Sequence, residues 1–220
     1  MSPSYTKLAK KATVALPLFA AALMATLLSP LTFALLIAYV GVKCWQELTG
    51  LERMHGYRVY ISREKAFVVT GFSAAMITRV VNLPMTLAVS LGAIANDIFA
   101  NIGGMLFGKK VFTKGLSRYS PNKSWEGAII GVAAGTWFFS RFSRSFIPLP
   151  LRIVFGLIVN VVAVAGDLQE SQMKRDIDIK DVGGALGEHG GWTDRVDSLL
   201  RSSVVGVILL VVLRLRKHAR

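Results

Sequence analysis

The chain of 220 residues has one cysteine, three histidines and few charged residues. A single cysteine, Cys44, excludes an intramolecular disulfide and any zinc site built on several cysteine ligands. Charged residues make up only 18% of the chain, against about a quarter in an average soluble domain. What the sequence has in quantity is apolar residues, at 53%. Cys44 lies among them and is expected to be a small buried hydrophobe.

The apolar residues form seven separate segments, most of them close to the ~20 residues that a helix needs to cross a bilayer. This pattern predicts an all-α, polytopic integral membrane protein with six or seven transmembrane helices. A single domain is expected over residues 1–220. The predicted helical segments are 12–29, 31–46, 66–81, 83–107, 126–142, 150–166 and 193–213, and a polar loop is expected over 46–65.

Acidic residues are scarce relative to basic ones: 13 against 26, for a net charge of +13. In a membrane protein such an excess indicates basic cytoplasmic loops facing anionic lipid. No basic motif interleaved with aromatic residues is present, so no nucleic-acid partner is expected. The basic loops 109–124 and 170–195 are separated by two spans and therefore share one side. The positive-inside rule makes that side cytoplasmic, in a multi-pass protein of the cell inner (plasma) membrane. The same rule conflicts with the basic C-terminal tail, which falls opposite.

Residues 166–200 concentrate ionisable side chains that the rest of the chain lacks. Asp167 follows one apolar segment and Asp194 precedes the next, so both lie at helix ends that can meet. Mg²⁺ prefers carboxylate and phosphate oxygens. Lys174, Arg175 and Lys180 are natural phosphate partners. The composition indicates metal-assisted phosphoryl or nucleotidyl transfer, with an ion or proton pathway as the alternative.

The last apolar run is too short to span by itself, so its helix must begin near Thr193. Asp194, Asp197 and Arg201 then share one helix face and should meet a polar cavity or each other. The alternative is a surface ion pair between Asp197 and Arg201.

Two further segments carry polar residues in helical context. Asp97, Asn101, Gly104 and Gly108 share one face of the predicted helix 83–107, and Gly104 with Gly108 also forms a GxxxG packing motif. In the block SPNKSWEG, which starts at Ser120, Ser124 and Glu126 are explained by capping of the next helix. Capping does not explain Lys123, which precedes a positive helix end where an anion would bind.

The run from Ser171 to Asp197 contains Ser-x-x-Lys-Arg, Lys-Asp and His-Gly-Gly-x-x-Asp-Arg-x-Asp. It resembles the C-terminal motif of phosphatidate cytidylyltransferases, also called CDP-diacylglycerol synthases. The resemblance covers residues 92–215 and makes them the catalytic half. The N-terminal helices, 1–91, are shorter than in typical members. The sequence departs from the motif at Glu188, where a glycine is common, and at Thr193.

The resemblance implies that CTP and phosphatidate react to CDP-diacylglycerol and pyrophosphate in a membrane-embedded homodimer that uses Mg²⁺, with K⁺ as a further cation. Asp167 and Asp194 would bind the metal. The implied catalytic residues are Lys174, Arg175, Lys180, Asp181, His189, Arg195 and Asp197. The implied substrate-binding residues are Asp97, Asn101, Ser120, Lys123, Ser171, Gly190, Gly191 and Arg201.

Other functions remain open at the level of sequence. A CDP-archaeol-type synthase would use a different lipid, and a CTP-dependent polyprenol or phytol kinase would release CDP instead of pyrophosphate. A transporter or ion channel would use the same intramembrane charges without nucleotide turnover, and a non-catalytic paralogue would do neither.

Overall fold

The computed structural model describes residues 3–185 and 190–218, with side chains from Leu16 onward except that of His55. The described residues form seven helices, which confirms the all-α prediction. Their bounds are α1 Pro3–Leu28, α2 Pro30–His55, α3 Arg58–Val81, α4 Leu83–Phe107, α5 Trp125–Phe142, α6 Leu149–Asp176 and α7 Thr193–His218.

Four stretches within the described residues are long and apolar enough to cross a membrane: Pro30–Met54, Leu83–Phe107, Leu149–Asp176 and Thr193–His218. The chain is therefore an all-α membrane protein. The expected total of six or seven spans stays a prediction.

The expected loop over 46–65 is wrong. α2 continues to His55 and α3 begins at Arg58, so only Gly56 and Tyr57 lie between them. Gly56 ends α2 in the left-handed conformation, at φ 69°, and its N–H donates to the carbonyl of Glu52. The polar residues that suggested a loop are instead the polar ends of two helices. α6 likewise continues past its predicted end to Asp176.

Consecutive helices run in opposite directions, and this gathers the charged residues at one end of the bundle. At that end α2, α4 and α6 finish and α3, α5 and α7 start. Three ion pairs show that these helix ends lie together: Lys65 with Glu52, Lys123 with Asp167 and Lys174 with Asp194. We call it the polar end. At the opposite, far end, Arg79 Nε donates to the carbonyl of Thr26 at 2.7 Å. The prediction that loops 109–124 and 170–195 share a side is confirmed, and α7 ends on the other side.

Two apolar clusters hold the helices together. One lies near the polar end, where Cys44, Leu48 and Ile61 of α2 and α3 pack with Ile177 and Val182 from the segment after α6. Cys44 is fully buried there, as its sequence context predicted. The other lies toward the far end, around Met85, Phe139, Val159 and Leu209. Since Ile177 and Val182 belong to the α6–α7 connection, packing of the first cluster also fixes that loop.

Small residues bring α4 and α5 into close contact. A Cβ atom added at Gly131 would lie 2.6 Å from the carbonyl oxygen of Asn96, and one at Gly127 would lie 2.6 Å from that of Ala100. Gly104, predicted as part of a packing motif, does face α5 through Gly127. Helices in membranes associate by such close approach, because lipid offers no hydrophobic driving force between them.

Replacing Gly131 with alanine is expected to destabilise the protein by about 1–3 kcal/mol, because the added methyl group overlaps the α4 backbone. Thermal unfolding in detergent should show a lower melting temperature. Gly50→Ala is the matched control, because nothing lies within 4 Å of a Cβ at that helical position. It should be neutral or stabilising, since alanine favours helix over glycine by about 1 kcal/mol. Equal melting of the two variants would contradict the packing role of Gly131.

Candidate functional site

The carboxylate of Asp194 accepts hydrogen bonds from three donors at the polar end. It lies in the first turn of α7 with a side chain that is 4% exposed. One oxygen accepts from Lys174 Nζ at 2.9 Å, and the other accepts from the backbone N–H groups of Val182 at 3.0 Å and Gly191 at 2.7 Å. Asp194 therefore joins α6, the α6–α7 loop and α7.

Gly190 permits this arrangement. Its φ of 76° lies in the left-handed region, and a Cβ atom there would lie 2.8 Å from an Asp194 carboxylate oxygen and 3.2 Å from one of Asp181. A glycine is needed on both counts, conformation and space.

Lys174 and the residues one turn away extend the site along the α6–α7 interface. The Lys174 ammonium group lies 3.4 Å from Glu170, whose side chain is 2% exposed, and the Glu170 carboxyl group contacts that of Asp197. Asp197 in turn lies 4.0 Å from Arg201, which also lies 3.7 Å from Glu64 of α3. Asp197 and Arg201 thus meet each other, and the same face of α7 also meets charged side chains of α3 and α6, because charges between helices need partners.

Asp167 and Asp97 complete the polar surface toward α4 and α5. Asp167 forms an ion pair with Lys123, and both side chains are about one third exposed, at 36% and 34%. Asp97 accepts a hydrogen bond of 2.9 Å from the hydroxyl of Ser198 on α7. We call Asp97, Asp167, Glu170, Asp194 and Asp197 the acidic cluster; it contacts Lys123 and Lys174.

The segment before α5 is ordered by two side chains. Ser124 caps α5 as predicted, accepting from Gly127 N at 3.1 Å. Glu126 has another role: its carboxylate accepts from the backbone N–H groups of Phe112 at 2.9 Å, Val111 at 2.8 Å and Lys109 at 3.2 Å. These bonds, that from Phe112 foremost, hold the pKa of Glu126 far below its usual range, at about 2. Glu126 thus stays ionised and keeps the loop after α4 near Lys123.

The remaining predicted residues lie outside the acidic cluster or at its rim. Arg175 is exposed and donates to the carbonyl of Ile179 at the end of α6. Asn101 is exposed and donates to the carbonyl of Asp97 in its own helix, and Ser120 lies in a turn with Ser117. Lys180, Asp181 and Arg195 are exposed, and Ser171 is half-buried on α6. Glu188 and His189 lie outside the described residues.

Glu47 of α2 is a site residue that the sequence did not reveal. Its carboxylate accepts from the backbone N–H groups of Trp192 at 2.9 Å and Thr193 at 3.0 Å, and from the Thr193 hydroxyl at 3.1 Å. A side chain on Gly183 or Gly191 would collide with that carboxylate. Glu47 therefore holds the loop that carries the partners of Asp194. A single glutamate in a polar stretch gives no local signal of such a contact.

Glu64 and Glu170 were also absent from the predicted site. Glu170 had a signal, since Asp167, Glu170 and Lys174 recur at helical spacing and share a face once α6 is extended to Asp176. The false loop over 46–65 hid Glu64, because a charge in a loop needs no partner and a charge between helices does.

In the described residues, each of the two aspartates expected to bind the metal has other partners. Asp167 contacts Lys123, whereas Asp194 contacts Lys174 and two backbone N–H groups. Among the described residues no group of three or more His, Cys, Asp or Glu side chains is arranged to hold a metal ion. The assignment of Asp167 and Asp194 to one metal stays a prediction.

The family profile described as "Cytidylyltransferase family" matches residues 59–213, from the start of α3 to near the end of α7. The chain belongs to the cytidylyltransferase family. This confirms the resemblance found in the sequence and supports the assignment to the transferases. The acidic cluster and its two lysines all lie inside the matched segment.

Within the aligned segments, relatives named phosphatidate cytidylyltransferase are close to two fifths identical to this chain. The Helicobacter pylori protein is 38% identical over 130 residues, which are 57% of this chain and 46% of that protein. A chloroplastic Arabidopsis thaliana protein is 40% identical over 123 residues, 54% of this chain and 30% of its own. The Aquifex aeolicus protein is 40% identical over 119 residues, which are 52% of this chain and 42% of that protein. This chain thus spans less than half the length of these relatives.

Replacing Glu47 with glutamine is expected to loosen the loop before α7, because an amide offers one acceptor oxygen and presents N–H groups to backbone donors. Loss of these bonds should cost about 1–3 kcal/mol and lower the melting temperature. Hydrogen exchange of the Trp192 and Thr193 amides should also become faster. Glu52→Gln, on the same helix and paired with Lys65, is the control and should leave both measurements close to wild type. Unchanged exchange in Glu47→Gln would exclude this role.

Proposed function

We propose that the chain transfers the cytidylyl group of CTP to phosphatidate, forming CDP-diacylglycerol and pyrophosphate at the membrane surface. Membership of the cytidylyltransferase family and the names of the relatives support the reaction type. The observation that carries the proposal is the position of the acidic cluster and of Lys123 and Lys174. They lie together at one end of a membrane bundle, where a lipid phosphate and a nucleotide from water can meet.

The charges of the cluster suit a divalent cation. Five carboxyl groups meet two ammonium groups and the guanidinium group of Arg201, so acidic groups outnumber basic groups by two. Asp167 is the best single ligand, because it is partly exposed and its described contact is one lysine. Asp194 fits less well as it stands, since both of its oxygens already accept hydrogen bonds. We propose that Mg²⁺ binds to Asp167. Asp194 either contributes its negative charge nearby or releases Lys174 and binds the ion in its place.

When bound, Mg²⁺ would neutralise phosphate oxygens of CTP and make the α-phosphorus easier to attack. Lys123 and Lys174 would then turn from their carboxylate partners to phosphate oxygens, since ammonium groups bind phosphates as point charges. A phosphate oxygen of phosphatidate attacks the α-phosphorus, and the bond from that phosphorus to the bridging oxygen of the β-phosphate breaks. Pyrophosphate leaves with that oxygen. The attacking phosphate is already anionic, so the step needs no general base.

For the orientation in the membrane and the oligomeric state, the expectations from the sequence are kept as proposals. The polar end would face the cytoplasm, where CTP is found, and phosphatidate would enter from the lipid. K⁺ as a further cation and a homodimer stay predictions.

The reaction is tested with purified protein in detergent, given CTP, Mg²⁺ and phosphatidate. CDP-diacylglycerol and pyrophosphate should appear in equal amounts. Release of CDP would instead indicate a kinase. Flux across liposomes without CTP turnover would indicate a transporter. Folded protein that makes no CDP-lipid would overturn the proposal.

Asp167→Asn should reduce kcat at least about 100-fold, because the neutral amide removes the charge of the proposed metal ligand while keeping its shape. Asp194→Ala should abolish turnover as well and lower the melting temperature, since it also removes the partner of Lys174. Asp178→Asn is the matched control: Asp178 is exposed at φ 57°, which asparagine tolerates. Activity of Asp167→Asn near that of the control would show that Asp167 binds no essential metal.

A further inference from the structure

A groove at the polar end has no role in the chemistry described so far. It lies between α3 and α6, and α7, which packs against both helices, contributes Arg201 to its lining. Its volume is about 270 Å³. This is slightly below the ~300–1,000 Å³ of pockets for drug-sized ligands, so it suits one ring or one small head group. Gln169 and Gln172 line it from α6, and Tyr60 and Arg63 line it from α3.

Arg201 links the groove to the acidic cluster. Its guanidinium lies over the ring of Phe67 at 4.6 Å, with Glu64 at 3.7 Å and Asp197 at 4.0 Å. The residue is 7% exposed, and its Nη1 atom has no hydrogen-bond acceptor in the described part of the chain. Nη1 has almost no accessible surface and lies on the side of Asp197, 4.0 Å from its carboxylate. Arg201 as a residue nonetheless lines the groove, so a ligand bound there would lie against it.

The chemistry of the lining favours a neutral, flat, polar ligand over an anion. Arg63 and Arg201 are balanced by Glu64 and Asp176, so the lining carries no net formal charge. Arg201 itself already has two carboxylates within 4.0 Å. A phosphate would find little unbalanced positive charge there. The two amides, the carboxylates and the guanidinium groups instead offer donors and acceptors side by side, next to the rings of Tyr60 and Phe67.

We propose that this groove holds the cytosine ring of CTP. Carboxylates and amide oxygens accept from its exocyclic amino group, and guanidinium and amide N–H groups donate to its carbonyl oxygen and ring nitrogen. The phosphates then extend past Arg201 toward Lys174 and the acidic cluster. The proposal rests on the proposed function and adds to it the residues that select the base.

Two variants test the proposal by steady-state kinetics with both substrates varied. Gln172→Leu should raise the KM for CTP about tenfold, the effect of losing one hydrogen bond, and leave the KM for phosphatidate unchanged. Asp176→Asn should reduce the preference for CTP over UTP, because a carboxylate accepts from the amino group of cytosine and repels the carbonyl of uracil. Titration of CTP into lipid-free protein should show the same weakening of affinity without turnover.

The controls separate failure of this proposal from failure of the proposed function. Gln46→Leu and Asp178→Asn repeat the substitutions at exposed positions outside the groove and should keep wild-type constants. Wild-type protein that makes CDP-lipid while both groove variants keep their CTP constants would refute the cytosine site alone. A rise in the KM for phosphatidate instead would assign the groove to the lipid head group and would also refute it. If the wild-type protein shows no turnover but binds CTP, and Gln172→Leu binds CTP more weakly, only the proposed reaction is refuted.

Discussion

The structure of the polar end depends on the hydrogen bonds that the carboxylate of Asp194 accepts. The carboxylate accepts them from Lys174 of α6, from Val182 of the following loop and from Gly191 just before α7. With 4% of its side chain exposed, this charge is stable only because its partners satisfy it. Those partners come from three segments, so one requirement for charge compensation fixes the end of α6, the backbone at Val182 and Gly191, and the start of α7 together.

The alternation of helix direction explains why so much charge collects around that carboxylate. Connections of one or two residues make α1, α2, α3 and α4 antiparallel to their neighbours. The longer connections 108–124 and 177–192 both lie at the polar end, so α5 and α7 start there as well. Close α4–α5 contact at Gly131 sets Asp97 and Lys123 on the side of the bundle that faces α6 and α7. Small residues within the bundle thus position charges at its end, although they carry no chemistry themselves.

The sequence was sufficient for features that a single helix determines. The length needed to cross a bilayer placed the start of α7 at Thr193, and helical spacing then put Asp194, Asp197 and Arg201 on one face. It was insufficient where partners come from distant segments. The contact of Glu47 with Trp192 spans 145 positions of sequence and involves a backbone group, which no residue pattern encodes. Polarity near residue 50 predicted a loop because solvated helix ends and loops have similar composition.

The segment that matches the family profile and the segment that builds the site are therefore not the same. The match begins at residue 59, yet α2 supplies Glu47, the ring of Tyr39 against Trp192 and four of the ten buried residues of the first apolar cluster. The backbone N–H groups of residues 191–193 are held from both sides, by Asp194 and by Glu47. If α2 were removed, the three bonds to Glu47 would be lost, and Asp194 would have to order the loop alone. The helix outside the match is thus a structural part of the site, and family membership by itself does not give the site's full extent.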